Sequence, residues 1–177
     1  PELLGNVLEL IVSAQICFAK HVRQYLTDGP EGYSHQHGVM IKGNILIRND
    51  SSILISPDIY KSQISKYDGM VLEALDGGGI HACGDVGKHI DKFMQTRCVR
   101  CFDFGQAELN TVPVIYDKAR KKSIPLVRIN ASTDEIINGN IMRLYPTGAS
   151  LFVKTESLEK AKWIMSRYKT ATEKCLS

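Results

Sequence analysis

GGGIHACGDVGKHI, residues 77–90, is the stretch on which the fold turns. Glycines run into a short apolar segment, His81 and Cys83 stand one residue apart, and Gly84 closes it. Residues two apart on a strand share a face. A strand here sends His81 and Cys83 one way and Ile80 and Ala82 the other. The glycines precede the strand and open no helix, so they are read as the turn from helix to strand rather than as a phosphate loop. A helix is expected around 86–95.

Strands and helices alternate on either side of this segment. Val7, Leu10, Ile11, Ala14, Cys17, Phe18 and Val22 fall on one helical stripe, and DGP at 28–30 should stop that helix. Residues 31–38 read as a loop, and VMIKGNILIRND as one strand ending at Asn49-Asp50. Ser56 and Pro57 start a helix carrying Ile59, Ile64, Tyr67, Val71 and Leu75 inward. VRCFDFG at 99–105 is a strand. Asn110 is a candidate cap for a helix over 111–122. IPLVRIN at 124–130 is a further strand. Ser132 and Glu135 form a capping box. A short strand is expected over 150–153, then a final helix presenting Leu158, Ala161, Ile164, Met165 and Tyr168. Strands apolar on both faces, each followed by a helix, predict an α/β fold with a parallel sheet. It is either doubly wound or part of a (β/α)8 barrel.

The chain has 177 residues and a net charge of +3. One core and one domain are expected over residues 1–177. The basic run Arg120, Lys121, Lys122 suits a helix end, and nothing indicates nucleic-acid binding. No apolar run approaches the roughly 18 residues of a membrane span. No signal peptide is recognised. Five unframed cysteines fit a reduced, cytoplasmic setting better than disulfides. The chain opens Pro-Glu rather than Met, as a trimmed sequence or a piece of a longer one would.

An imidazole and a thiol at the carboxyl end of a parallel strand suit a divalent metal, zinc above all. The same pair also fits a packed cysteine beside a histidine bonded to backbone. Cys98 and Cys101 do not extend the set, since residues three apart on a strand face opposite ways. Polar groups close the other strands: Asn49 and Asp50, then Gln106 and Glu108, then Asn130. Parallel strands would bring them to one rim with His81 and Cys83. Arg128 lies within a strand and needs a charged partner or a polar interior. His35 and His37 read as exposed, and Cys17 and Cys175 as inert helix residues.

In order, NILIRNDSSILISPDIYKSQISKYDGMVLEAL, IHACGD, FDFGQAE and STDEIINGN resemble the uroporphyrinogen decarboxylase superfamily over roughly residues 7–170. That superfamily includes the corrinoid-dependent methyltransferases. The resemblance implies a (β/α)8 barrel with its site at the carboxyl rim. A whole barrel takes about 250 residues, so the match is to the C-terminal half. A missing N-terminal half or self-association would then be needed to close it. In the methyltransferase branch, His-x-Cys and a later Cys hold zinc, which activates a substrate thiol toward a methyl group carried by a corrinoid. His81 and Cys83 match the first two ligands. YPTGAS at 145–150 has no thiol, so zinc would take Asp50, Glu108 or another oxygen donor. The resemblance leaves three readings. The first is methyl transfer, with metal at His81 and Cys83, catalytic roles for Asp50, Gln106 and Glu108, cofactor-binding roles for Asn49, Asn130 and Arg128, and a corrinoid protein as a partner. The second is a cofactor-free decarboxylase for a porphyrinogen or another small carboxylate. The third is a non-catalytic barrel half.

Overall fold

The computed structural model describes residues 2–27 and 31–176. The DGP stop at 28–30 lies outside the described residues. The chain opens with α1 (Glu2–Arg23), followed by a hairpin of β1 (Tyr33–Gln36) and β2 (Val39–Lys42). Next come β3 (Ile45–Arg48), a 3-10 turn over Asp50–Leu54, and one long helix in three parts. These are α2 (Pro57–Ile59), a π segment over Tyr60–Ile64, and α3 (Ser65–Ala74). Then β4 (Gly78–Ala82), α4 (Ile90–Phe93), β5 (Val99–Phe104), α5 (Val112–Lys121) and β6 (Leu126–Asn130) follow. The chain ends with α6 (Thr133–Ile137), α7 (Asn140–Leu144), β7 (Ala149–Phe152) and α8 (Leu158–Leu176).

The five strands β3 to β7 form one sheet in chain order, and every pairing is parallel. The order never reverses, unlike that of a doubly wound sheet. Ile80, Phe102 and Leu126 point to one face, where they join Leu72, Phe93, Ile115 and Tyr116 from the helices in the main core. The other face carries Leu46, Cys101 and Val127, and Ile41 of the hairpin packs on them. Helices cover one face and the hairpin lies on the other. α6, α7 and α8 enclose a smaller core around Ile136, Ile141 and Ile164.

Several local readings hold. Ser56 caps its helix by accepting from the Ile59 amide, with Pro57 at the first turn. The Ser132–Glu135 capping box is complete. Others need correcting. The strand read over 39–50 breaks at Gly43, where φ is +102° and a Cβ would meet the Gly77 carbonyl oxygen at 2.2 Å. The loop read over 31–38 is instead the first hairpin strand, turned by His37 and Gly38 with φ of 52° and 82°. Two positive φ values in a two-residue loop match the strand twist. Only Gly77 of the three glycines makes the turn, at φ +88°. Gly78 and Gly79 lie inside β4, where a Cβ on Gly78 would meet the Ile45 carbonyl oxygen at 2.0 Å. The helix read over 86–95 shortens to α4. Asn110 caps nothing; its amide bridges the Gly84 and Gln106 carbonyls, and its Oδ1 accepts from the Val86 amide. We expect Gly43→Ala to destabilise the chain by about 3 kcal/mol, because strained backbone and a backbone clash coincide. The shift of its urea midpoint against that of the parent chain checks this.

The two terminal helices also differ from their stripes. In α1, Val12 is buried, with Leu8, Ile16 and Ala19 packed beside it. Leu10 and Phe18 are 71% and 70% exposed. This helix is apolar on most sides, so its periodicity does not select the packed face. α1 is also long and apolar enough to cross a membrane by length and composition, with mean hydropathy 1.5 and only 6% of that window buried. That corrects the reading that no apolar run approaches the length of a membrane span. In α8, Ile164 is buried as expected, but Leu158 and Met165 are exposed. Ile59 is also exposed, whereas Tyr60 is fully buried.

Candidate metal centre

Arg48, His81 and Asp103 occupy matching positions on β3, β4 and β5. They therefore form a row across the sheet on the hairpin side, near the carboxyl ends of the strands. Cys83 follows β4 immediately, and Asp50 opens the turn after β3. This row brings the site together.

His81 is 1% exposed. Its Nδ1 lies 2.7 Å from Asp103 Oδ2. Burial acts to raise the Asp103 carboxyl, but hydrogen bonds from His81 and Arg128 and the Arg128 charge outweigh it and hold the group below its ordinary value. The carboxylate accepts, so His81 donates from Nδ1, and in the neutral ring this places the lone pair on Nε2. That nitrogen lies 3.4 Å from Cys83 Sγ and 3.4 Å from Asp50 Oδ1. Ligands about 2.1 Å from the centre of a tetrahedron stand about 3.4 Å apart. His81 Nε2 stands at that spacing from both of the other groups, and the nitrogen, sulfur and oxygen all lie within 4.8 Å of one another. A solvent-facing fourth position fits the half-exposed Asp50, whose side chain is 45% exposed.

Asp50 is held in place by the Cys83 amide, which donates to its Oδ1 at 2.8 Å. Burial acts to raise the Asp50 carboxyl, yet this amide, the Cys83 thiol, the His81 ring and Arg48 together hold it low. Burial and the Asp50 carboxylate push the Cys83 thiol up. Gly105 leaves room beside the pair: a Cβ there would lie 2.3 Å from Cys83 Sγ and 3.3 Å from His81 Cε1.

Two participants were not anticipated. Asp103 is fully buried and gathers three side chains, those of His81, Arg128 and His37, into one network. Its Oδ1 accepts from Arg128 Nε at 2.8 Å, and its Oδ2 also meets His37 Nδ1 at 3.1 Å. The signal was present in the FDF sequence, since a carboxylate amid apolar strand residues needs partners as much as Arg128 does. His37 is exposed as expected, but from the hairpin turn its ring also stacks edge-on to His81, with centroids 5.1 Å apart. Arg128 has its charged partner in Asp103, and its φ of +57° falls where the β6–β7 register slips, as at a bulge.

The other expected residues stand apart. Asn49 turns inward: its Nδ2 donates to Asp68 at 2.5 Å, and its Oδ1 accepts from Ser52. Gln106 and Glu108 are exposed on the connection after β5. Neither side chain reaches the cluster among the described interactions, and the carboxylate grouped with His81 and Cys83 is that of Asp50, not Glu108. Asn130 is exposed at the end of β6. Cys101 is buried under the hairpin, and burial pushes its thiol up to about 12. Cys17 and Cys98 are exposed and unpaired; Cys175 lies on α8 with its side chain outside the described residues. An apolar groove of about 400 Å³ between β7 and α8 contains none of the site residues.

No protein-family model matches the chain, and no curated protein or solved structure is significantly similar to it. The class defined by fold and site is an α/β protein with a parallel sheet and a His-Cys-Asp cluster at the strand ends.

Proposed function

We propose that this chain is a metal-dependent methyl-transfer protein of the uroporphyrinogen decarboxylase superfamily, with zinc held by His81, Cys83 and Asp50. The observation that carries it is His81 Nε2 standing 3.4 Å from both Cys83 Sγ and Asp50 Oδ1, with Asp103 holding the opposite ring nitrogen. A carboxylate behind a ligating histidine fixes its tautomer and strengthens it as a donor. Bound there, zinc would keep a substrate thiol ionised at neutral pH, ready to accept a methyl group from a corrinoid. The chain's own residues prepare the place. Asp103 orients His81, the Cys83 amide orients Asp50, and Gly105 leaves space for the Cys83 thiol. Methylcobamide, carried by a corrinoid protein in a cytoplasmic setting, is the donor that accompanies this reading.

The same reading takes the sheet as part of a (β/α)8 barrel. Strands in chain order, helices confined to one face and open edges at β3 and β7 support it. A partner half, from a further segment or a second copy, would close the ring. In that arrangement the hairpin face becomes the interior and the cluster lies at its mouth.

The test is zinc content and affinity of the purified chain. One zinc per chain is expected, with affinity falling as pH falls, because Cys83 must release a proton to bind. Below the thiol's pKa the loss is about tenfold per pH unit for one proton exchanged. A metal-free chain that decarboxylates a porphyrinogen would replace this proposal with the decarboxylase reading. Gly105→Ala should weaken zinc binding at least about tenfold by displacing the Cys83 thiol, measured by competition with a chromophoric chelator.

A further inference from the structure

Asp50 stands on a turn whose own cap is weak. Asn49 opens that turn at φ −115° and ψ 40°, outside the regular wells, with no side-chain bond to the turn's amides. Its backbone amide pairs with the His81 carbonyl at 2.8 Å, which fixes one side of the residue. On the other side, the Ser52 hydroxyl of the same turn donates to Asn49 Oδ1, and a second hold comes from a distance. The Asn49 side-chain amide donates to Asp68 Oδ2 on α3, and the same oxygen accepts from the Tyr60 hydroxyl at 2.8 Å. Tyr60 is fully buried and also meets Thr96 Oγ1 at 3.1 Å. Thr96 in turn meets Ser65 Oγ at 3.2 Å. A polar chain thus runs through the apolar side of the sheet and ends at the residue before Asp50.

A carboxylate in this position is unfavourable in isolation. Burial pushes Asp68 up to about 6, against the lowering effect of its bonds from Tyr60 and Asn49. No cation pairs with Asp68 among the described residues. An apolar residue would fill the space at less expense, so the position of Asn49 is what the arrangement secures.

We propose that Asp68 is a positioning residue for the metal centre, holding Asn49 so that the Asp50 carboxylate stays against Cys83 and His81. This rests on the zinc reading of the site. The carboxylate itself touches neither metal ligands nor substrate; it acts through one side-chain amide and the turn that follows.

The experiment is a double-mutant cycle in the full chain, with Co(II) as the probe metal and its thiolate charge-transfer absorption as the readout. Asp68→Ala is expected to weaken Co(II) binding about tenfold, the scale for losing an outer support of a ligand. In an Asp50→Ala background it should weaken binding no further. Equal affinity in Asp68→Ala and parent, or the same loss in both backgrounds, overturns the proposal. If Asp68→Ala does not fold, Asn49→Ser cuts the same link from the other side. Should the parent bind neither Co(II) nor zinc, the zinc reading falls, and hydrogen exchange at the Cys83 amide decides the positioning role. Asp50 accepts from that amide, so faster exchange in both Asp68→Ala and Asp50→Ala upholds the role. Unchanged exchange in Asp68→Ala overturns it.

Discussion

Replacing His81 by alanine is expected to abolish stoichiometric zinc while leaving a folded chain. The imidazole is the middle member of the cluster, 3.4 Å from each of the other two donors. Cys83 and Asp50 alone do not make a tetrahedral site, so affinity should fall by at least about a hundredfold. Zinc measured after gel filtration, beside a circular dichroism spectrum, separates ligand loss from unfolding. A His81→Ala chain that keeps one zinc at the parent's affinity would place the metal elsewhere or remove it from the account. The same variant also tests Asp103, because it removes one of the donors that carboxylate serves.

The second large effect is expected at Asp103 itself. Asp103→Asn removes a buried carboxylate from Arg128, His81 and His37 together, while keeping nearly the same shape. Breaking one partner out of a buried charge pair costs about 3–5 kcal/mol. We expect the low end, about 3 kcal/mol, because Arg128 keeps 22% of its side chain in solvent. The native carboxyl lies below its ordinary value of 3.8. Its contribution is therefore fully present above that value and is lost as pH falls through the lower native one. Denaturation curves of parent and variant should stand apart at neutral pH and approach each other in acid. Zinc affinity should also fall by about 10- to 100-fold, because an uncharged amide no longer holds the donating tautomer of His81 as firmly. A variant whose stability gap is unchanged in acid would assign the loss to packing rather than to the carboxylate charge.

The pairing of His81 with Cys83 was legible because a strand has a period of two and tolerates no ambiguity once the strand is recognised. Asp50 was legible as the polar end of a strand in a parallel sheet. Asp103 was equally within reach. The rule that demanded a partner for Arg128 applies to it, and each residue is the other's answer. His37 was not legible, because its approach to Asp103 depends on how a hairpin folds back over a sheet 60-odd residues further along the chain. Asn49 was assigned outward because sequence order places it at the rim; its amide turns inward to an acid on a helix.

At the level of the fold, alternation revealed the parallel sheet but not its boundaries. Gly43 looks like an ordinary residue in an apolar run until Gly77 is seen to cross beside it. α1 shows the opposite difficulty. Apolar residues on nearly every side leave no stripe to read, and only contact with Tyr67 and its neighbours on α3 selects Leu8, Val12 and Ile16. The open order of the strands, by contrast, follows from tertiary pairing that no single segment encodes.

The outer rim of β3, beside the groove of α1, bears on how the protein behaves in the test tube. Amides and carbonyls along that rim can adopt a neighbour's strand as readily as a proper one. Refolding yield should then depend on dilution more steeply than the sheet's size alone would dictate, with crowded samples lost as insoluble material. Dilute handling, or a charged side chain grafted along that rim, would keep the chain in solution long enough for its metal chemistry to be assayed.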